Sequence, residues 1–407
     1  MYTTPSQMEP LFPSGAPDLD DLAREVVSQS AALGGQLHPI TRQAVVELLR
    51  IINSYYSNLI EGHSTHPVDI ERAMRQEYSS DPAKRDLQLE SLAHIRCQQQ
   101  LEAHLQENPD LDVATADFIV WLHRIFYEQL PKELRFVISP ETGESLEVEP
   151  GQIRQREVKI ARHVAPSSDH LPAFLNRFAN AYSSSKHHGL EPLIAAAASH
   201  HRLMWIHPFL DGNGRVARLY TDACLLRLPV EGYGLWNVSR GLARQREKYM
   251  DALGAADALR RNDLDGRGNL SNEELVKFCR FFLETCLDQI AFMRGLLGMD
   301  NLLDRIRGYV IMRERKMIPG PAQEIRPLKP EAAYMLQEVL LRGKVARGDL
   351  LRVSGMAVRS GRIVLAQLLE EGILGSDTPK GPVRLNLPTH LAGYLFPDLY
   401  PARQITQ

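Results

Sequence analysis

At 407 residues, with 44% hydrophobic and 24% charged side chains, the chain has an ordinary soluble composition and length for two to three domains. A formal net charge of −3 excludes binding of polyanions by overall field and leaves nucleic acid only a local patch. No apolar run approaches membrane-spanning length and the N-terminus lacks a signal peptide's basic and apolar regions, so a cytoplasmic protein with no membrane partner is expected.

Residues 1–17 are rich in Pro, Ser and Gly and are expected to be mobile. A helical region follows over 18–110. Within it, residues 39–62 place Val45, Leu48, Leu49, Ile52, Tyr56 and Leu59 on one apolar stripe, with Gly62 placed to end the helix. The same pattern predicts helices at about 84–107, 113–129, 169–184 and 189–205, and the four alanines at 195–198 imply close packing. From Arg135 to Pro166 the pattern alternates and carries turn residues, which predicts a hairpin inserted into a helical domain. Helices resume at about 213–228, 241–256, 272–296 and 300–316, closing a core over 111–316. A Pro-rich linker, 317–329, leads into 330–407. There, three short helices and two extended runs follow the order of a winged helix and end in a tail. The cysteines (Cys97, Cys224, Cys279 and Cys286) form no CxxC pair and are expected to be reduced.

The stretch HPFLDGNGRVAR, residues 207–218, concentrates the chemistry. Gly212, Asn213 and Gly214 follow a loop and open a helix, whose unpaired N–H groups and partial positive charge form an anion cradle. Asp211 can supply the single carboxylate that a magnesium–nucleotide site usually takes from protein. Arg215 and Arg218 are three residues apart, hence on one helical face, where two guanidiniums can grip further phosphates. His207 has a near-neutral pKa by default and can take a proton from a hydroxyl. Taken singly, each residue has a bland reading as a turn, a packed imidazole or a solvated arginine. Together they supply the base, metal ligand, cradle and clamp that phosphoryl-type transfer needs.

This run resembles the full motif of the Fic (filamentation induced by cAMP) proteins, and the likeness extends over roughly residues 40 to 290. The resemblance implies a mostly α fold: a helical bundle with an inserted β-hairpin flap, here followed by a winged-helix domain. It implies transfer of AMP from ATP to a Ser, Thr or Tyr hydroxyl of a target protein or of the chain itself. His207 would be the base and Asp211 the Mg²⁺ ligand. Gly212, Asn213 and Gly214 would form the anion hole, with Arg215 and Arg218 on the β- and γ-phosphates. The SNLIEG run from Ser57 to Gly62 is similar to the inhibitory helix of autoinhibited members. By that likeness Glu61 would pair with Arg218 and block productive γ-phosphate binding, with Ser57 one turn before it. Residues 156–166 resemble the family's flap, whose edge, here Val158, Lys159 and Ile160, would dock a target segment by main-chain pairing. Arg246 and Tyr249 match an Arg-x-x-Tyr that often lies near the nucleotide, and an amphipathic packing helix reads equally well.

Two further runs are decoys. Asp263 to Glu274 has the acid spacing of a calcium loop, but Arg267 stands where a ligand oxygen belongs, and Ser271 with Glu274 reads as a capping box. His200 and His201 point about 100° apart on a helix and read as hydrogen-bonded support rather than zinc ligands. Between Arg342 and Pro388, eight basic residues face four acidic ones, with Arg359, Ser360 and Arg362 where a recognition helix would meet a DNA groove. Protein binding or packing on the chain's own core fits that modest charge as well. Three functional readings follow. The first is an adenylyltransferase using Mg²⁺ and ATP. The second is a relative moving another phosphate-containing group or removing AMP. The third is a DNA-binding regulator with a nucleotide-sensing core.

Overall fold

A computed structural model describes residues 2–139, 142–160, 163–228, 230–321 and 326–401. Residues 161 and 162 of the predicted flap, 322–325 of the linker and 402–407 of the tail lie outside the described residues, as does the Lys159 side chain.

The fold is mostly helical, as expected. Helices α1 (Asp18–Gly34), α2 (Pro39–Ile60), α3 (Pro67–Met74), α4 (Pro82–Glu107) and α5 (Ala116–Glu128) lead into two short hairpins. These are β1 (Phe136–Ile138) with β2 (Ser145–Glu147), and β3 (Lys159–Ile160) with β4 (His163–Val164). Helices α6 (Leu171–Tyr182), α7 (Glu191–Ile206), α8 (Asn213–Arg227), α9 (Val238–Arg244), α10 (Arg246–Ala256), α11 (Asn272–Leu297) and α12 (Met299–Glu314) follow. The C-terminal part holds α13 (Ala332–Arg342), β5 (Lys344–Val345), α14 (Arg347–Val353), α15 (Val358–Glu370), β6 (Leu374–Gly375), β7 (Val383–Leu385) and α16 (Thr389–Leu395). Its three strands form one antiparallel sheet in the order β5-β7-β6.

The centre of the molecule is α7 packed on α8 and α11. Helix α7 is apolar nearly all round, so it is buried along most of its length, and Ala195–Ala198 let α8 approach. Its end is sharp. His207 adopts φ 50°, the left-handed region that non-glycine residues seldom enter, and its N–H donates to Leu203 O. Gly212, at φ 77°, opens α8, and a Cβ there would come within 2.8 Å of the Tyr127 ring. Asn213, the first residue of α8, closes the loop: its side chain accepts from Phe209 N and donates to Phe209 O, both at 2.9 Å.

Three sequence expectations change. The predicted mobile N-terminus is packed: Met8 is fully buried, Tyr2 lies against Trp205, and Arg202 donates to Pro10 O at 2.8 Å. Apolar Met8 and Leu11, scattered among prolines, join the buried core without any periodicity to announce it. The single hairpin over 135–166 is two hairpins, and Val158 precedes β3 rather than lying in it. The helix expected over 241–256 breaks at Gln245, whose φ −116° and ψ 37° are not helical.

The cysteines are free, and three are fully buried. Ser271 caps α11 by accepting from Glu274 N. No group of His, Cys, Asp and Glu arranged to hold a metal was found among the described residues, and no helix there is long and apolar enough to cross a membrane.

Candidate active site

The residues of the 207–218 run surround the N-terminus of α8. Arg218 is 1% exposed and points toward α2. Its Nε donates to Ser57 Oγ at 2.9 Å, and its Nη2 donates to Ser57 O at 3.0 Å and to Glu61 Oε1 at 2.5 Å. Glu61 is the C-cap of α2, so its position follows from where that helix stops. Its carboxylate also lies directly over Gly214, where a Cβ would overlap Oε1. An acid thus sits in the anion cradle. Burial would raise the Glu61 carboxyl, but Arg218 and Arg215 outweigh it and hold it below the usual carboxylate range. The Glu61 side chain remains 33% exposed, so solvent reaches part of it.

Arg215 takes a different set of partners. Its Nη1 donates to Glu90 Oε1 at 2.5 Å, its Nη2 lies 3.3 Å from Asp211 Oδ2, and its guanidinium stacks over Phe126 at 4.9 Å. Asp211 also accepts from Tyr127 Oη at 2.7 Å, again on Oδ2. Burial would raise this carboxyl, but Arg215 and Tyr127 hold it low, and the side chain is 42% exposed. An ionised carboxylate, fixed in direction and open to solvent, fits a hard divalent cation.

His207 is part-buried, and burial, with His163 and Arg154 nearby, pushes its imidazole down to about 4. It is therefore neutral, a proton acceptor, near pH 7. Its loop is tied to the second hairpin by Arg154, a buried side chain that donates to His207 O at 2.8 Å, Pro166 O at 2.6 Å and Arg156 O at 2.8 Å. On the hairpin itself, His163 lies 2.8 Å from Trp205 O and 3.1 Å from Asp257. Phe209 stacks on His123 at 4.0 Å.

The structure thus brings Ser57, Glu61, Asp211, Gly212, Asn213, Gly214, Arg215 and Arg218 into one cluster. Arg246 reaches the same place from α10, its Nε donating to Ile60 O at 2.9 Å. Tyr249 is fully buried and its hydroxyl pairs with His200 Nε2 at 2.7 Å. Lys159 pairs with Val164 and Ile160 with His163 in the second hairpin. Sequence reasoning missed Glu90, His63, Tyr127 and Arg154. Glu90 and Arg154 carry no local signal, whereas Tyr127 is an odd polar tip on an apolar helix and His63 adjoins the SNLIEG run.

An anion cradle at a helix tip, two guanidiniums, an oriented carboxylate and a neutral imidazole define a site for handling phosphate groups. Comparison with known proteins shows what this site is similar to. Residues 113–225 match the model of the Fic/DOC family. A protein adenylyltransferase Fic of Nematostella vectensis is 31% identical over 177 residues, 42% of this chain and 36% of that protein. A protein of the same name from Drosophila willistoni is 34% identical over 110 residues, 27% of this chain and 21% of its own. The matched part thus spans about a third or less of these relatives. A Fic family protein from Desulfovibrio desulfuricans superposes with TM-score 0.51 at 18% identity, covering 95% of this chain and 98% of its own. Fic-1 from C. elegans superposes with TM-score 0.52 at 17% identity, covering 69% of this chain and 73% of the other. Residues 113–225 of the chain thus carry a Fic/DOC-family match, and the solved Fic structures share its fold.

Proposed function

We propose that this chain is a protein adenylyltransferase that uses Mg²⁺ and ATP and is restrained by Glu61. The observation that carries the reading is the Glu61 carboxylate itself, seated on Gly214 and paired with Arg218 at 2.5 Å. That place is built for an anion, and a triphosphate is the anion that would use both arginines, the helix tip and a neighbouring imidazole at once. Relatives named protein adenylyltransferases support the same choice.

In the reaction, His207 accepts the proton of a Ser, Thr or Tyr hydroxyl on a target protein or on the chain itself. The oxygen attacks the α-phosphorus of ATP, the bond to the β-phosphate breaks, and pyrophosphate leaves. The α8 amides and the two arginines hold the β- and γ-phosphates and stabilise the departing charge. Asp211 would hold Mg²⁺, whose charge would offset that of the phosphates. The second hairpin would present the target through a main-chain edge at Val158 to Ile160.

Glu61 and a γ-phosphate compete for one guanidinium. A closed form favoured by ~3 kcal/mol leaves about one molecule in a hundred competent. Incubation of Glu61→Gly protein with α-phosphate-labelled ATP, Mg²⁺ and lysate should therefore raise protein labelling by about tens of fold over wild type, with His207→Ala as the blank. Unchanged labelling would overturn the reading, and mass spectrometry of the product would separate AMP from any other transferred group. For DNA binding the support is thinner. Of the eight basic side chains counted in the C-terminal part, Arg342, Lys344, Arg352 and Arg384 are already paired with Glu338, Asp377 and Asp349.

A further inference from the structure

The two arginines of the cradle are held in different ways. Arg218 is held by Glu61, an acid at the end of α2 that is 33% exposed. Arg215 is held by Glu90, an acid inside α4 whose side chain is 13% exposed. Glu90 is fixed on both oxygens: Oε1 accepts from Arg215 Nη1 at 2.5 Å, and Oε2 lies 2.6 Å from His63 Nδ1. Burial would raise the Glu90 carboxyl, but His63 and Arg215 overcome this and keep it ionised. Arg215 is 5% exposed, and a guanidinium buried that far keeps its place only if a carboxylate offsets its charge. Asp211, at 3.3 Å and on the weaker side, is the carboxylate a cation would draw away.

We propose that Glu90 is the positioning residue of Arg215. It anchors Nη1, so that the rest of the guanidinium fork is set toward the helix tip before any phosphate arrives. The inference rests on the triphosphate reading above and gives that clamp an asymmetry. When the end of α2 withdraws and takes His63 with it, Arg218 loses its acid and becomes free to bind, while Arg215 keeps Glu90, which α4 carries, and stays in register. A second brake is the opposite role for the same contact: Glu90 would then have to leave, and its removal would tighten ATP binding.

The test is equilibrium binding by calorimetry, with Mg²⁺ present and in the Glu61→Gly background, of ATP and of AMP, which lacks the phosphates Arg215 would hold. The parent should prefer ATP over AMP. Adding Glu90→Ala should weaken ATP by about tenfold or more and leave AMP within about twofold, the scale of a lost charge-assisted hydrogen bond. Glu90→Gln, which keeps an acceptor for Nη1, should recover most of that loss. Should Glu90→Ala fail to fold, Glu90→Gln carries the test, with ATP alone weakened by about threefold as charge is lost and the hydrogen bond kept. An ATP-over-AMP preference unchanged in every folded variant, or an increase in ATP affinity, overturns the positioning role. A Glu61→Gly parent with no preference for ATP overturns the triphosphate reading beneath it, and so separates the two failures.

Discussion

At Gly214 a single methyl group decides what the cradle can hold. A Cβ there would overlap the Glu61 carboxylate and stand 3.1 Å from Arg218 Nη1. The overlap is with the far end of a flexible side chain, so Gly214→Ala should push Glu61 aside without unfolding α8. Alanine is also the better helix former, by about 1 kcal/mol. Yet the methyl fills the space an incoming phosphate oxygen needs. Gly214→Ala in the Glu61→Gly background should fold normally and bind ATP about tenfold or more weakly, as overpacking of a tight site does. Full ATP affinity in that double variant would place the phosphates elsewhere. The residues of this cradle were legible because they lie in one twelve-residue run whose spacing is itself the geometry. Glu90 was not legible: in the sequence it is one acid on an amphipathic helix, and only the packing of α4 on α8 brings it to Arg215, 125 positions away.

Helix α2 is more than the carrier of Glu61. The C-terminal part grips it at two levels: Thr41 Oγ1 donates to Leu340 O at 2.9 Å, and Tyr56 Oη donates to Leu399 O at 3.1 Å, one residue before Ser57. Arg240 joins the second contact, donating to Asp398 O at 2.7 Å while its guanidinium lies 3.5 Å over the Phe292 ring. Loss of the Tyr56 hydroxyl removes one hydrogen bond of about 1 kcal/mol, so Tyr56→Phe should speed amide exchange in a peptide covering 389–401 by about fivefold. An unchanged exchange rate there would mean that the C-terminal end is held by other contacts. The stripe of α2 could be read from its sequence because helical periodicity is local. Its partners could not, since Leu340 and Leu399 offer backbone carbonyls, which every residue has. The N-terminal segment failed for a related reason: one buried methionine and one leucine among prolines make no period, although they seal the core.

At the scale of the molecule, burial of imidazoles sets the response to acid. Burial pushes His94 and His200 down to about 3, and His123 and His207 down to about 4. Each is neutral when folded and takes up a proton on unfolding anywhere below the ordinary 6.5. The stability they leave intact at pH 7 is therefore lost as pH falls from 6.5 toward 4, at ~1.4 kcal/mol per pH unit for each group. One group opposes them. Burial raises the Asp222 carboxyl to about 6 despite hydrogen bonds from Tyr233, Asn53 and Asn237, so it favours the folded state as pH drops below that value. His63, raised chiefly by Glu90, contributes stability that is fully present below 6.5 and lost above it, so it adds no slope in the acid window. His201 and His390, also lowered by burial, add to the four imidazoles, and against Asp222 alone they leave a net loss. Thermal unfolding at pH 7, 6 and 5 should show a melting temperature that falls at each step, and replacing His94 by Gln should flatten the slope. A melting temperature constant from pH 7 to 5 would mean these imidazoles are hydrated in the folded protein. His207 would then lose the burial that keeps it a neutral base.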